Sequence, residues 1–281
     1  MAAAVALDAI LSGHEPAGNL LLAAGLDSTG GLVPAGSLMD ILMEADSAPI
    51  KSQIILVPEG AALQLSDWLV RRPRDWMLLS RLCIVEAAHA TDALTLCSSS
   101  RAPALTRSFA LTEAIAARLN SAPAPLAELK RPETVTTLEE IISFQPRFLS
   151  VRFLHAIASG TAPRHLSVGS SMKWIEEQAG PVIHADRKKH PLTVKRNGLA
   201  LSAYALSWEA LAAGKGIINP ACSAYLRELM ILARMLDRWC GRVPVPPRGG
   251  PVPDPLEVVE QTARVMELRK AVKVPQPAVE K

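Results

Sequence analysis

Aromatic side chains are scarce in this 281-residue chain, with Phe, Trp and Tyr together making up only 4%. A core short of rings must be filled by Leu, Ile, Val and Met, helped by many Ala residues that each bury little area. Such close, small contacts suit packed helices better than a β-sandwich. A mainly helical α+β protein is therefore expected. Cysteine is also sparse: Cys83, Cys97, Cys222 and Cys240 stand far apart, and no C-x-x-C pair occurs. That spacing argues against a disulfide framework or a zinc site and for a reduced, intracellular setting. No apolar run reaches the ~18–20 residues needed to span a bilayer. The Ala-rich start from Met1 to Ile10 lacks the basic region of a secretory signal and carries Asp8. The chain is expected to be neither secreted nor transmembrane.

Catalytic signatures are missing as well. There is no Gly-x-Ser-x-Gly, no His-Glu-x-x-His and no activated Cys–His arrangement, so neither an enzyme nor a bound cofactor is expected. His184, Asp186 and His190 bring two imidazoles and a carboxylate close in sequence. Arg187, Lys188 and Lys189 crowd the same stretch and would repel a dication, so no metal site is expected there. His89 with Asp92, and His155 with His165, read as scattered polar residues. General disorder is excluded by a hydrophobic content of 49%.

What the chain does have is Ala, Pro and Ser, nearly a third of all residues, and basic charge gathered in short clusters. The N-terminal part, residues 1–105, reads as mixed α/β. Ala2–Leu11 forms a short helix, Gly25–Gly36 a Gly-rich turn region, and Gln53–Val57 a buried strand closed by Pro58. Ala61–Val70 has helical spacing and ends at Arg71-Arg-Pro-Arg74. Leu79–Glu86 and Ala93–Cys97 read as further strands. Residues 106–242 read as a helical domain. Its helices cover Phe109–Asn120, a segment capped by Thr136 or Thr137, and Ser170 to Gly180.

The strongest helical pattern runs from Pro220 to Gly241. Leu226, Leu229, Ala233, Leu236 and Cys240 form one apolar stripe, while Arg227, Arg234 and Arg238 share another face. Residues 243–281 then form a Pro-rich linker and a helical arm. Six prolines in Val243–Pro255 predict an extended, semi-rigid spacer, and Leu256–Val272 an amphipathic helix. That helix either reaches a second copy or folds back on its own body.

Three basic groups carry the functional reading. The first is Arg71, Arg72 and Arg74. The second, which carries most weight, is Arg187, Lys188, Lys189, Lys195 and Arg196. The third is Arg238, Arg242 and Arg248. Cations of this kind bind phosphate backbones through counterion release, without a base code. Trp76 beside the first group and Trp239 beside the last either stack on a base or fill the core.

A further segment, Gly30-Gly-Leu-Val-Pro-Ala-Gly-Ser-Leu-Met-Asp-Ile41 followed by Lys51-Ser-Gln53, resembles the approach to the phosphate loop of RecA-like ATPases. A phosphate nest needs glycines that turn successive N–H groups inward. Asp46-Ser-Ala-Pro-Ile50 has no glycine, and Pro49 removes a donor. Nucleotide hydrolysis is not expected, although a degenerate module of this kind stays an alternative.

In its size, its Ala, Pro and Ser richness, its basic clusters and its Pro-rich linker, the chain resembles the proline-alanine-serine-rich proteins of polymycoviruses. That resemblance implies association with double-stranded RNA and a place in the virion or host cytoplasm. The leading expectation is an RNA-associated, coat-like protein that self-assembles as a homo-oligomer through helical contacts and the C-terminal arm. A non-enzymatic bacterial or phage adaptor is the alternative from another class.

Overall fold

The computed structural model describes residues 20–34, 36–47, 54–97, 102–184, 193–196, 199–239 and 255–272. The helix expected at Ala2–Leu11 and most of the Pro-rich linker lie outside them. The chain divides into two compact units, Met1–Pro163 and Arg164–Lys281. No helix among the described residues is long and apolar enough to cross a membrane.

The first unit is built on three short parallel strands in the order β1 (Leu20–Leu22), β4 (Ile54–Pro58), β5 (Cys83–Ala87). Central β4 is buried along its whole length. A parallel sheet covered on both faces calls for the unbroken apolar run seen there. Between β1 and β4 come an antiparallel hairpin, β2 (Ala24–Leu26) with β3 (Leu32–Pro34), and helix α1 (Leu38–Ser47). Helix α2 (Ala61–Arg71) follows β4 and starts at Gly60, whose φ of +86° suits a glycine.

Of the two stretches read as further strands, one is a strand only in its second half and the other is helical. Leu78–Arg81 forms helix α3, which leaves only Cys83–Ala87 as strand. Ala90–Cys97 forms helix α4 in place of the expected strand. The reason is local: the Asp92 carboxylate accepts the N–H groups of Ala88 and His89 at 3.0 and 3.2 Å. An acid three residues into a helix, bonded back to the capping N–H, is half of a capping box.

Helices α5 (Pro103–Ser121), α6 (Pro125–Leu129), α7 (Pro132–Phe144) and α8 (Leu149–Ala158) complete this unit. Each of the first three opens on a proline, whose missing N–H has no helical partner to lose at that position. Helix α7 thus begins before the caps expected at Thr136 and Thr137. Thr137 sits inside it and donates to the Glu133 carbonyl at 2.7 Å. Phe109, Leu119, Leu138, Phe148 and Leu154 share one buried cluster with Ile55, Leu56 and Ile84 of the sheet. The boundary expected near residue 105 falls inside that core.

The second unit contains helix α9 (Val168–Gln178), a short α10 (Gly180–Ile183), and the hairpin β6 (Thr193–Arg196) with β7 (Leu199–Ser202). Helices α11 (Ala203–Gly214), α12 (Ser223–Trp239) and α13 (Pro255–Ala271) follow. Strands were expected only in the N-terminal third, so the hairpin is an addition. Ser167 caps α9 by accepting the Ser170 N–H at 3.2 Å. Asn219 pins the turn before α12: its amide donates to the Leu166 carbonyl at 3.1 Å, and its N–H donates to Ser171 Oγ at 2.9 Å. Both units agree with a mainly α protein carrying short strands.

Helix α13 packs on α12 of its own chain. Val258, Thr262 and Val265 supply its buried stripe. The same two helices share a buried carboxylate, Glu228, which is 4% exposed.

Candidate nucleic-acid interface

The two faces of α12 separate as its spacing predicts. Leu226, Leu229, Ala233 and Leu236 are buried, while Arg227, Arg234 and Arg238 are exposed. Steps of seven and four residues set these arginines almost in line, about 10 Å and then about 6 Å apart along the axis. Cys240, the last member of the expected stripe, lies outside the described residues.

Arg234 is held in place by a neighbour on α11. Its guanidinium carbon lies 4.1 Å from the centroid of the Trp208 ring. A cation over an indole face is attracted by the ring quadrupole and keeps its outer edge in water. Lys215, just past the end of α11, is also exposed and faces the same hollow as Arg227 and Arg234. The Trp208 Nε1–H is buried and has no acceptor among the described residues.

Arg227 is exposed, and its Nε lies 3.3 Å from Glu228 Oε1. Glu228 itself is held mainly by α13. Gln261 Nε2 donates to its Oε2 at 3.0 Å, and Arg264 Nε stands 3.7 Å from the same oxygen. The Gln261 hydrogen bond, then the charges of Arg264 and Arg227, keep the Glu228 carboxyl below its ordinary range despite burial. One basic face and one helix clamp therefore meet on α12.

The other basic residues are placed as follows. Arg71, Arg72 and Arg74 are exposed at the end of α2 in the first unit, and Arg72 lies 3.8 Å from Asp75. Arg71 sits in the last helical turn, where the helix dipole welcomes a cation. Trp76 is half-buried and packs against the core. Lys195 and Arg196 belong to β6, whose partner β7 runs straight into α11. Arg187, Lys188, Lys189, Arg242 and Arg248 lie outside the described residues. Arg238 thus joins Arg227 and Arg234 on one helix, while the Arg71 group belongs to the other unit. Trp208 and Lys215 were missed. Their sequence neighbourhood, Trp208-Glu-Ala-Leu, is ordinary for a helix, and only the fold brings Arg234 over the ring.

The segment that resembles a phosphate-loop approach has a different local structure. Asp27 Oδ1 accepts from Thr29 N–H, Thr29 Oγ1 and Gly31 N–H, all at 2.8 Å. These bonds hold the Asp27 carboxyl below its ordinary range. Gly30 turns the β2–β3 hairpin with φ of +83°, and a Cβ on Gly31 would meet Asp27 Oδ2 at 2.6 Å. The paired glycines thus close a hairpin. Residues 38–47, which would have to lead into a phosphate loop, form helix α1; Lys51-Ser-Gln53 lies outside the described residues.

His184 ends α10, and Asp186 and His190 lie outside the described residues. Among the described residues no group of three His, Cys, Asp or Glu side chains is placed to hold a metal ion. In comparisons with known proteins, no family model, curated protein or solved structure matches the chain.

Proposed function

We propose that this protein is an RNA-associated structural subunit that neutralises phosphate charge with exposed basic side chains. The observation that carries the reading is the row of Arg227, Arg234 and Arg238 on the solvent face of α12, with Arg234 seated over Trp208. Seating a guanidinium on an indole restricts its motion before the ligand arrives, so less ordering remains to be done on binding. Guanidinium groups present several fixed N–H donors, a shape suited to phosphate oxygens. Lys195 and Arg196 on β6, just ahead of α11, and the neighbouring Arg187–Lys189 cluster extend the same basic unit in sequence.

Self-association is part of the proposal. Leu256 and Val259 on α13 are 64% and 49% exposed. Docked on a second copy, α13 would link subunits through the contacts it makes here with α12. The compositional resemblance to polymycovirus proline-alanine-serine-rich proteins favours the same role, with double-stranded RNA as ligand and the virion or host cytoplasm as its place.

A gel-shift series tests this, using duplex RNAs of unrelated sequence at several salt concentrations. Binding that is alike across sequences and falls steeply with salt is the expected result. Indifference to RNA at low salt overturns the reading and favours an adaptor.

A further inference from the structure

Beside the arginine row lies a hollow that backbone neutralisation does not account for. It measures about 610 Å³, inside the ~300–1,000 Å³ range of pockets that take small molecules. Met230 and Ile231 of α12 supply apolar surface, and Trp208 of α11 forms a wall. Lys215, Arg227 and Arg234 stand around it. Ile231 is 41% exposed, although it sits within a largely amphipathic helix. A phosphate row needs cations alone. Apolar surface enclosed by cations calls for a ligand with a flat or greasy body and an anionic end.

Planarity narrows the choice. The exposed Arg234 guanidinium lies over the Trp208 ring, and both residues line the hollow. Nucleobases stack on aromatic rings and on arginine planes alike. A base inside a duplex offers neither free face nor room to enter a concavity. An acyl carboxylate would fill the apolar surface but leave the planar layer and most of the positive charge unused.

We propose that this hollow takes one unpaired nucleotide, its phosphate between Lys215 and Arg227 and its base against the Arg234–Trp208 layer and Ile231. The inference rests on the RNA-binding reading and deepens it: the protein would grip a single-stranded or end nucleotide beside the duplex-neutralising row.

The test uses the full chain and isothermal titration with 5′-AMP, with ribose 5-phosphate as the base-free control and decanoate as the acyl competitor. The expected result is at least tenfold tighter binding of 5′-AMP than of ribose 5-phosphate. Ile231→Ser should bring that ratio close to one. Should Ile231→Ser lower the melting temperature, Lys215→Gln serves instead and should weaken both phosphates about fivefold. Equal binding of 5′-AMP and ribose 5-phosphate overturns the proposal, as does tighter binding of decanoate or full affinity in both variants. The gel shift with duplex RNA is read separately. Loss there with a retained 5′-AMP preference sinks the coating role, and the reverse sinks only the hollow.

Discussion

The side-chain amide of Gln261 donates to Glu228 twice, to its backbone carbonyl at 3.1 Å and to its carboxylate at 3.0 Å. One residue of α13 thereby satisfies two acceptors on α12, one of them a charge inside the helix interface. Gln261→Ala leaves that buried carboxylate with fewer donors. Hydrogen bonds to charged groups contribute about 1.5–3 kcal/mol, so unfolding in urea should show a loss near the lower end of that range. Limited proteolysis should also cut the segment after Trp239 faster. An unchanged midpoint would mean that α13 is held by its apolar stripe alone.

Acid should weaken the same clamp. The folded Glu228 carboxyl sits below its ordinary value, so the stability it contributes is complete above the unfolded value of about 4.3 and fades as pH falls through the folded one. A melting profile from pH 6 to pH 3 should drop at the acid end, and Glu228→Gln should flatten that drop while starting from a lower plateau. Parallel profiles would remove Glu228 from the acid response.

Alkali acts through Tyr225. Its ring is fully buried, its hydroxyl has no partner among the described residues, and burial, with the charge of Glu176, pushes its pKa to about 12. An acid whose folded pKa is raised favours the protonated state. Its contribution is complete below about 10 and is lost as pH rises from there towards 12. Tyr225→Phe should keep near-neutral stability and lose part of the alkaline decline. A decline as steep as in the parent chain would contradict this.

Gly214 closes α11 against the ring of Trp174 on α9. A Cβ at that position would run into the six-membered ring. Gly214→Ala should therefore destabilise by about 1–3 kcal/mol, the usual cost of overpacking. Pairing it with Trp174→Leu should recover part of the loss. Gly216, where an added Cβ meets nothing within contact, is the control: Gly216→Ala should leave the melting temperature almost unchanged.

Local patterns were legible in the amino-acid sequence, and long-range pairings were not. The spacing of Leu226, Leu229, Ala233 and Leu236 places them inside and turns Arg227, Arg234 and Arg238 outward, as the structure shows. The unbroken run Ile54–Val57 similarly marks the central strand. Short apolar stretches misled in part: Leu79–Glu86 is strand only from Cys83, and Ala93–Cys97 is helix, both too brief for periodicity to separate the two. Asp92 was the overlooked signal, since an acid reaching back to two N–H groups favours the helix. Glu228 with Gln261, and Trp208 with Arg234, lie 33 and 26 positions apart, so no window of local sequence could join them. The hollow between α11 and α12 depends wholly on such pairing.

The central claim is that the arginine row of α12 meets RNA phosphates. Its most direct test is the slope of log binding constant against log salt for the full chain and for Arg234→Gln/Arg238→Gln. Each phosphate contact contributes roughly 0.7–0.9 to that slope. A loss of about 1.5 in slope, alike for unrelated RNA sequences and with helicity unchanged, is the predicted outcome. A variant whose slope and affinity equal those of the parent chain would contradict the account.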